Sequence, residues 1–115
     1  MQNELMTPIN HIIAATQHLR DEATINLAQE RLLTAIAHVA GEMRTLILAI
    51  PDPNWDKARE VLSFEARGYL ASIIGYAEML LDEDDGTLNT DQIQYAHQIR
   101  ANGKSLLARL IKLEA

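Results

Sequence analysis

The fold follows from two twenty-residue stretches, NELMTPINHIIAATQHLRDE at residues 3–22 and FEARGYLASIIGYAEMLLDE at residues 64–83. Six positions are identical when the first stretch is shifted by 61 residues onto the second. In both stretches, apolar residues recur every three or four positions, which is the spacing of one face of an α-helix. Each stretch therefore predicts an amphipathic helix, and the two helices share one pattern.

A further helix is predicted after each of these stretches. Capping-box patterns, Asn26-x-x-Gln29 and Asn89-x-x-Gln92, mark where these second helices begin. The first helices of the two halves are related by a shift of 61 residues, and the second helices by a shift of 63. The two-residue difference therefore falls in the turn between them. We expect four helices, at about residues 2–22, 27–50, 56–81 and 90–114.

Two breaks divide the chain. Pro51 and Pro53 cannot continue a helix, so residues 51–55 are predicted to be a linker between residues 1–50 and 56–115. The acidic run Asp82–Asp85 opposes the dipole at a helix C-terminus, which favours a solvated turn. Each half is then a helical hairpin that cannot bury its apolar stripe alone. We predict an all-α fold, an antiparallel four-helix bundle with pseudo-twofold symmetry.

Composition narrows the range of possible functions. With 10 Lys and Arg against 16 Asp and Glu, the 115-residue chain has a formal charge of −6, which argues against a nucleic-acid partner. The absence of cysteine excludes disulfides and thiolate sites. No apolar run approaches the roughly 20 residues of a membrane span. We expect a soluble, cytoplasmic protein without a cofactor or metal, since His11 and His18 have no evident third ligand.

The second half resembles the HisKA domain, the dimerisation and phosphoacceptor domain of two-component sensor histidine kinases. The resemblance extends from Ser63 to about Lys112. The family's box S-H-E-L-R-T-P-L corresponds to SFEARGYL at residues 63–70, and its I-I-G-Y-x-E-L-L corresponds to IIGYAEML at residues 73–80. The first half carries NELMTPI at residues 3–9, which includes the family's Thr-Pro pair. The resemblance implies two degenerate HisKA-like hairpins in one chain.

The phosphoacceptor of that family is missing from both boxes. In the family, a histidine accepts a phosphoryl group from ATP and passes it to an aspartate of a response regulator. Asn3 and Phe64 stand at the matching positions, and neither offers a nucleophilic imidazole nitrogen. No Gly-rich phosphate loop is present either. We therefore predict a pseudo-kinase module rather than an enzyme, a monomeric pseudo-dimer with a homodimer as the alternative.

The resemblance also implies a partner, either the receiver domain of a response regulator or a histidine kinase. The residues expected at the contact with this partner are Glu4, Thr7, Phe64, Glu65 and Arg67. Phe64 has two interpretations. It projects outward, as the matching family position does, or helix three has rotated and buries it against Trp55 or the end of helix one.

His97 supports a different function. The sequence AHQIRA at residues 96–101 resembles the A-H-x-L-K-G signature of histidine phosphotransfer domains, which are also four-helix bundles. Arg100 replaces the lysine, and Ala101 replaces the glycine while still leaving room for a docking aspartate. The alternative function is thus phosphotransfer through His97, and the plainer interpretation is a solvated histidine. A third possibility is a structural piece of a larger sensor.

Overall fold

The described part of the chain forms four helices. The computed structural model describes the backbone of residues 2–50 and 55–114, and the side chains of residues 4–50 and 64–111. Within these ranges there is no strand, so the all-α prediction is confirmed. Of the predicted linker at residues 51–55, residues 51–54 and the side chain of Trp55 lie outside the described residues, whereas the backbone of Trp55 already begins a helix. The helices are α1 (Gln2–Arg20), α2 (Leu27–Leu48), α3 (Trp55–Leu81) and α4 (Thr90–Glu114).

The helices pack as a four-helix bundle. The main contacts run around its circumference, with α1 and α3 each packing against both α2 and α4. Short connections make successive helices antiparallel, so α1 and α3 run parallel at diagonally opposite corners. The bundle measures 45 × 22 × 19 Å. Both turns therefore lie at one end, and the end of α2 and the start of α3 lie at the other.

One apolar core fills the space between the helices. Buried positions of α1 and α3 correspond under the 61-residue shift. The pairs are Leu5 and Ala66, Ile9 and Leu70, Ile12 and Ile73, Thr16 and Ala77, and Leu19 and Leu80. Thr16 is the one polar member, and its hydroxyl donates to the Ile12 carbonyl at 2.7 Å. Each buried Leu or Ile contributes about 1.5 to 3 kcal/mol, so the core is the main source of stability.

Both predicted capping boxes are present. The Asn26 side chain accepts from the Gln29 backbone N–H at 2.8 Å, and the Gln29 side chain accepts from the Asn26 N–H at 3.0 Å. Asn89 and Gln92 make the same reciprocal pair, with both distances 2.9 Å. These bonds satisfy amides that the first turn of a helix leaves without partners, which explains why α2 and α4 begin where they do.

The capping glutamines also join the two hairpins. Gln29 and Gln92 are buried, and the side-chain amide of each points into the turn of the other hairpin. Gln29 Nε2 donates to the Thr87 carbonyl at 3.4 Å. Gln92 Nε2 donates to Glu22 Oε2 and Thr24 Oγ1, both at 2.6 Å. We call these five residues, Glu22, Thr24, Gln29, Thr87 and Gln92, the turn clasp. It fixes the two turns against each other.

Gly86 allows the turns to approach this closely. Its φ of 152° lies in a region that L side chains rarely adopt. Beside it, Asn26 Nδ2 donates to the Asp85 carbonyl at 2.6 Å. A Cβ at position 86 would overlap the amide nitrogen of Asn26 and lie 2.9 Å from that of Gln29. The position therefore needs glycine for both its backbone and its surroundings.

We predict that Gly86→Ala lowers the free energy of unfolding by about 2 to 3 kcal/mol, because the added methyl strains the backbone and displaces two capping side chains. Urea unfolding followed by circular dichroism measures this change. Gly68→Ala is the control. Nothing lies within 4 Å of a Cβ at that helical position, so alanine should raise stability by up to about 1 kcal/mol. Equal effects of the two substitutions would contradict the described turn.

Candidate functional site

The five predicted contact residues do not form one surface. All five are exposed, with Glu4 and Thr7 on α1, and Phe64, Glu65 and Arg67 on α3. They lie toward the end of the bundle away from the turns. Because α1 and α3 occupy diagonal corners, the structure divides the residues between an α1 corner and an α3 corner.

At the α3 corner, Phe64 projects into solvent with 83 % of its surface exposed. The inward-facing side of α3 is defined by buried Ala66, Leu70 and Ile73. Phe64 precedes Ala66 by two positions, which is a rotation of about 200° around a helix, so its ring points away from the core. The interpretation in which Phe64 is buried is therefore wrong, and the outward one is correct.

At the α1 corner, Pro8 creates a contact with α4. Because proline has no N–H, position 8 cannot donate the usual helical hydrogen bond to the carbonyl of Glu4. Arg109 Nη1 on α4 donates to that carbonyl instead. The Thr7-Pro8 pair therefore frees a backbone acceptor that helps to hold α1 against α4. The Glu4 carboxylate remains at the exposed surface.

On α4, His97, Arg100, Ala101 and Lys104 line a shallow groove of about 280 Å³. They occur at steps of three and four, so they share one side of the helix. His97, Ala101 and Lys104 are exposed, whereas Arg100 is half-buried with its Nε 3.5 Å from Glu78 Oε1 on α3. The groove combines an accessible imidazole with two cations and a small residue, which suits it to an anionic group.

The other histidine of interest, His18, has a structural contact. Its ring stacks on Tyr95 of α4 with centroids 4.2 Å apart and 29° between the planes. Its Nε2 lies 3.8 Å from Glu22 Oε1. His18 thereby connects α1, α4 and the turn clasp. In the part of the chain whose side chains are described, no three His, Asp or Glu residues converge as metal ligands.

The acidic turn is solvated, as its sequence predicts. Asp82, Asp84 and Asp85 are all exposed, and α3 ends immediately before them. Within the described ranges, no helix combines the length and apolar character needed to traverse a bilayer.

We predict that Phe64→Ser changes the free energy of unfolding by no more than about 0.5 kcal/mol, because the ring buries little surface in the folded chain. Ile73→Ala, at a fully buried position of the same helix, should cost about 2 to 5 kcal/mol. Chemical denaturation of both variants measures the difference. A large loss of stability in Phe64→Ser would show that the ring is packed inside.

Comparisons of the chain with protein-family models, with curated proteins and with solved structures give no match in any of the three.

Proposed function

We propose that the chain is a non-catalytic docking module of a cytoplasmic two-component signalling pathway. Its partner is the receiver domain of a response regulator, which binds without phosphotransfer at the box positions. The observation that supports this proposal is the exposure of Phe64, at 83 %, in the box position where the related family carries its acceptor histidine. A phenyl ring at this position can contribute binding energy and has no nucleophile to phosphorylate.

Burial of the Phe64 ring by a partner would contribute a measurable share of the binding free energy. Burying a phenylalanine side chain that is otherwise solvated contributes about 1.5 to 3 kcal/mol, close to a hundredfold in affinity at the upper limit. Glu65 and Arg67 flank the ring on opposite sides of α3 and supply charges of opposite sign. Such flanking charges contribute more to the orientation of a bound partner than to its affinity. Glu4 and Thr7 form the corresponding corner on α1.

We predict that receiver domains bind the wild-type chain, and that Phe64→Ser weakens this binding at least tenfold because it removes the apolar contact. Titration calorimetry with receivers in unphosphorylated and beryllofluoride-activated forms measures the affinity. Met79→Ser is the matched control, since Met79 is an exposed apolar residue farther along the same helix. Failure of every receiver to bind, or equal losses of affinity in both variants, would contradict the proposal. Binding to a histidine kinase but to no receiver would also contradict the receiver as the partner.

The groove on α4 favours a second candidate, a histidine phosphotransfer protein. The imidazole of His97 would attack the phosphorus of a receiver's aspartyl phosphate. A P–N bond then forms, the P–O bond to the aspartate breaks, and the carboxylate leaves. Arg100 and Lys104 lie one and two turns along the same side of α4, where they can offset the phosphoryl charge.

We predict for this candidate that a phosphorylated receiver transfers an acid-labile phosphoryl group to the chain, and that His97→Ala abolishes the transfer. Radiolabelled phosphate followed by acid treatment measures it. His38→Ala is the control, because His38 is also exposed but lies on α2. Labelling that persists in His97→Ala would exclude His97 as the acceptor. Labelling that requires His97 would replace the docking proposal.

A further inference from the structure

The bundle has two seams at which a helix of one hairpin packs against a helix of the other, α1 against α4 and α2 against α3. Across the α1/α4 seam, His18 stacks on Tyr95, and Arg109 donates to the carbonyl of Glu4. The shifts of 61 and 63 residues that relate the halves carry these four positions onto Met79, Leu32, Leu46 and Glu65. Corresponding residues therefore lie along the α2/α3 seam, where the end of α2 meets the first part of α3.

The α2/α3 seam is lined mainly by apolar side chains. Contacts with Arg100 and Gly103 place α4 on the flank of α3 that carries Glu78 and Ile74, so the opposite flank of α3 faces α2. Six apolar side chains of the seam are half-buried or exposed: Ala35, Val39 and Leu46 of α2, and Tyr69, Tyr76 and Met79 of α3.

The two seams differ in polarity although they share one pattern. The α4 positions that correspond to the three apolar residues of α2 are all polar, namely Gln98, Asn102 and Arg109. His18 corresponds to Met79, which is 47 % exposed. At the α1/α4 seam, polar groups contact each other within the chain, whereas the α2/α3 seam presents apolar surface to solvent. A continuous apolar strip of this kind is typical of a surface that binds another molecule.

Two tyrosines give this apolar strip a polar edge. Tyr69 and Tyr76 are seven positions apart on the same flank of α3, about 10 Å along the helix. Both rings pack against the core at half-buried positions. In the part of the chain whose side chains are described, neither hydroxyl has a hydrogen-bond partner. Since a tyrosine hydroxyl donates to carbonyl oxygens, each can bind the backbone of a partner.

One end of the α2/α3 seam is acidic. Glu42 precedes Leu46 by one turn of α2, Glu65 precedes Tyr69 by one turn of α3, and both carboxylates are exposed. The ion pairs of the described residues include neither of them. Arg31, a cation on the same flank of α2, is eleven positions from Glu42, about 16 Å along the helix. This end of the seam is therefore complementary to a lysine or arginine of a partner.

We propose that the α2/α3 seam binds a proline-rich segment of another protein, with a lysine or arginine beside the prolines. Such a segment forms a polyproline II helix, whose carbonyls make no internal hydrogen bonds and can accept from Tyr69 and Tyr76. One turn of that helix is about 9 Å, close to the separation of the two tyrosines. The carbonyls of an α-helical partner would already be used in its own hydrogen bonds. The basic residue lies beside Glu42 and Glu65.

The test uses three synthetic peptides. The first is rich in proline and carries one lysine, the second has glutamate in place of that lysine, and the third is an amphipathic helix of leucine and lysine. Fluorescence anisotropy of the labelled peptides titrated with the full chain measures affinity. The proline-lysine peptide should bind at least tenfold more tightly than either of the others, and added salt should weaken its binding.

Two pairs of variants locate the binding surface. Tyr76→Phe removes one hydroxyl and should weaken binding of the proline-lysine peptide about threefold to tenfold, whereas Tyr95→Phe makes the same change at the α1/α4 seam and should have little effect. Glu42→Lys should weaken binding at least tenfold. Glu30→Lys, an equal charge change at an exposed position of α2, is its control. Circular dichroism verifies that all four variants remain folded.

Several results would overturn the proposal. They are no binding of the proline-lysine peptide, equal binding of the helical peptide, or equal losses of affinity in a variant and its control. Dimerisation of the chain that Glu42→Lys abolishes would assign the seam to a second copy instead. The inference does not rest on docking at Phe64, and Phe64→Ser should leave peptide binding unchanged. Loss of peptide binding in Phe64→Ser would contradict a separate site.

Discussion

Each hairpin of this protein has an apolar stripe that it cannot bury by itself. Ile12 and Ile36 of the first hairpin and Ile73 and Ile99 of the second are all fully buried, and each depends on the other hairpin for cover. Because a hairpin alone would leave these residues in water, the two halves must associate. A single chain supplies all four helices, which leaves the outer surfaces of the bundle free for other contacts. The exposure of Phe64 follows from this arrangement.

The turn clasp gives the association a defined geometry. Apolar stripes can slide along one another at little cost, whereas the hydrogen bonds of Gln29 and Gln92 specify one register. Leaving either buried amide without partners would cost about 1 to 3 kcal/mol, so alternative registers are disfavoured. The clasp lies at the turn end, and Phe64 lies toward the opposite end. The functional surfaces that we propose are thus carried on helices that the clasp and the core hold in place.

Much of this fold could be predicted from the sequence because its determinants are local. The period of the apolar residues identified four helices, and the pairs Asn26 with Gln29 and Asn89 with Gln92 gave the starts of α2 and α4. The contacts between Gln92 and the opposite turn, and between His18 and Tyr95, could not be predicted, since they join residues far apart in sequence. The positive φ of Gly86 could not be predicted either, because it belongs to the contact between the same two turns.

The candidate sites were less predictable than the fold. The box residues could be named, but their division between two corners depends on the diagonal placement of α1 and α3. The sequence left two interpretations of Phe64 open, and the exposure of its ring in the structure decides between them.

The mass of the protein in solution tests the central claim most directly, which is that one chain closes its own bundle. Sedimentation equilibrium at micromolar concentration should give a single species of 12.9 kDa. A stable species of twice that mass that dissociates only on unfolding would show that two chains share the core, and would contradict the account.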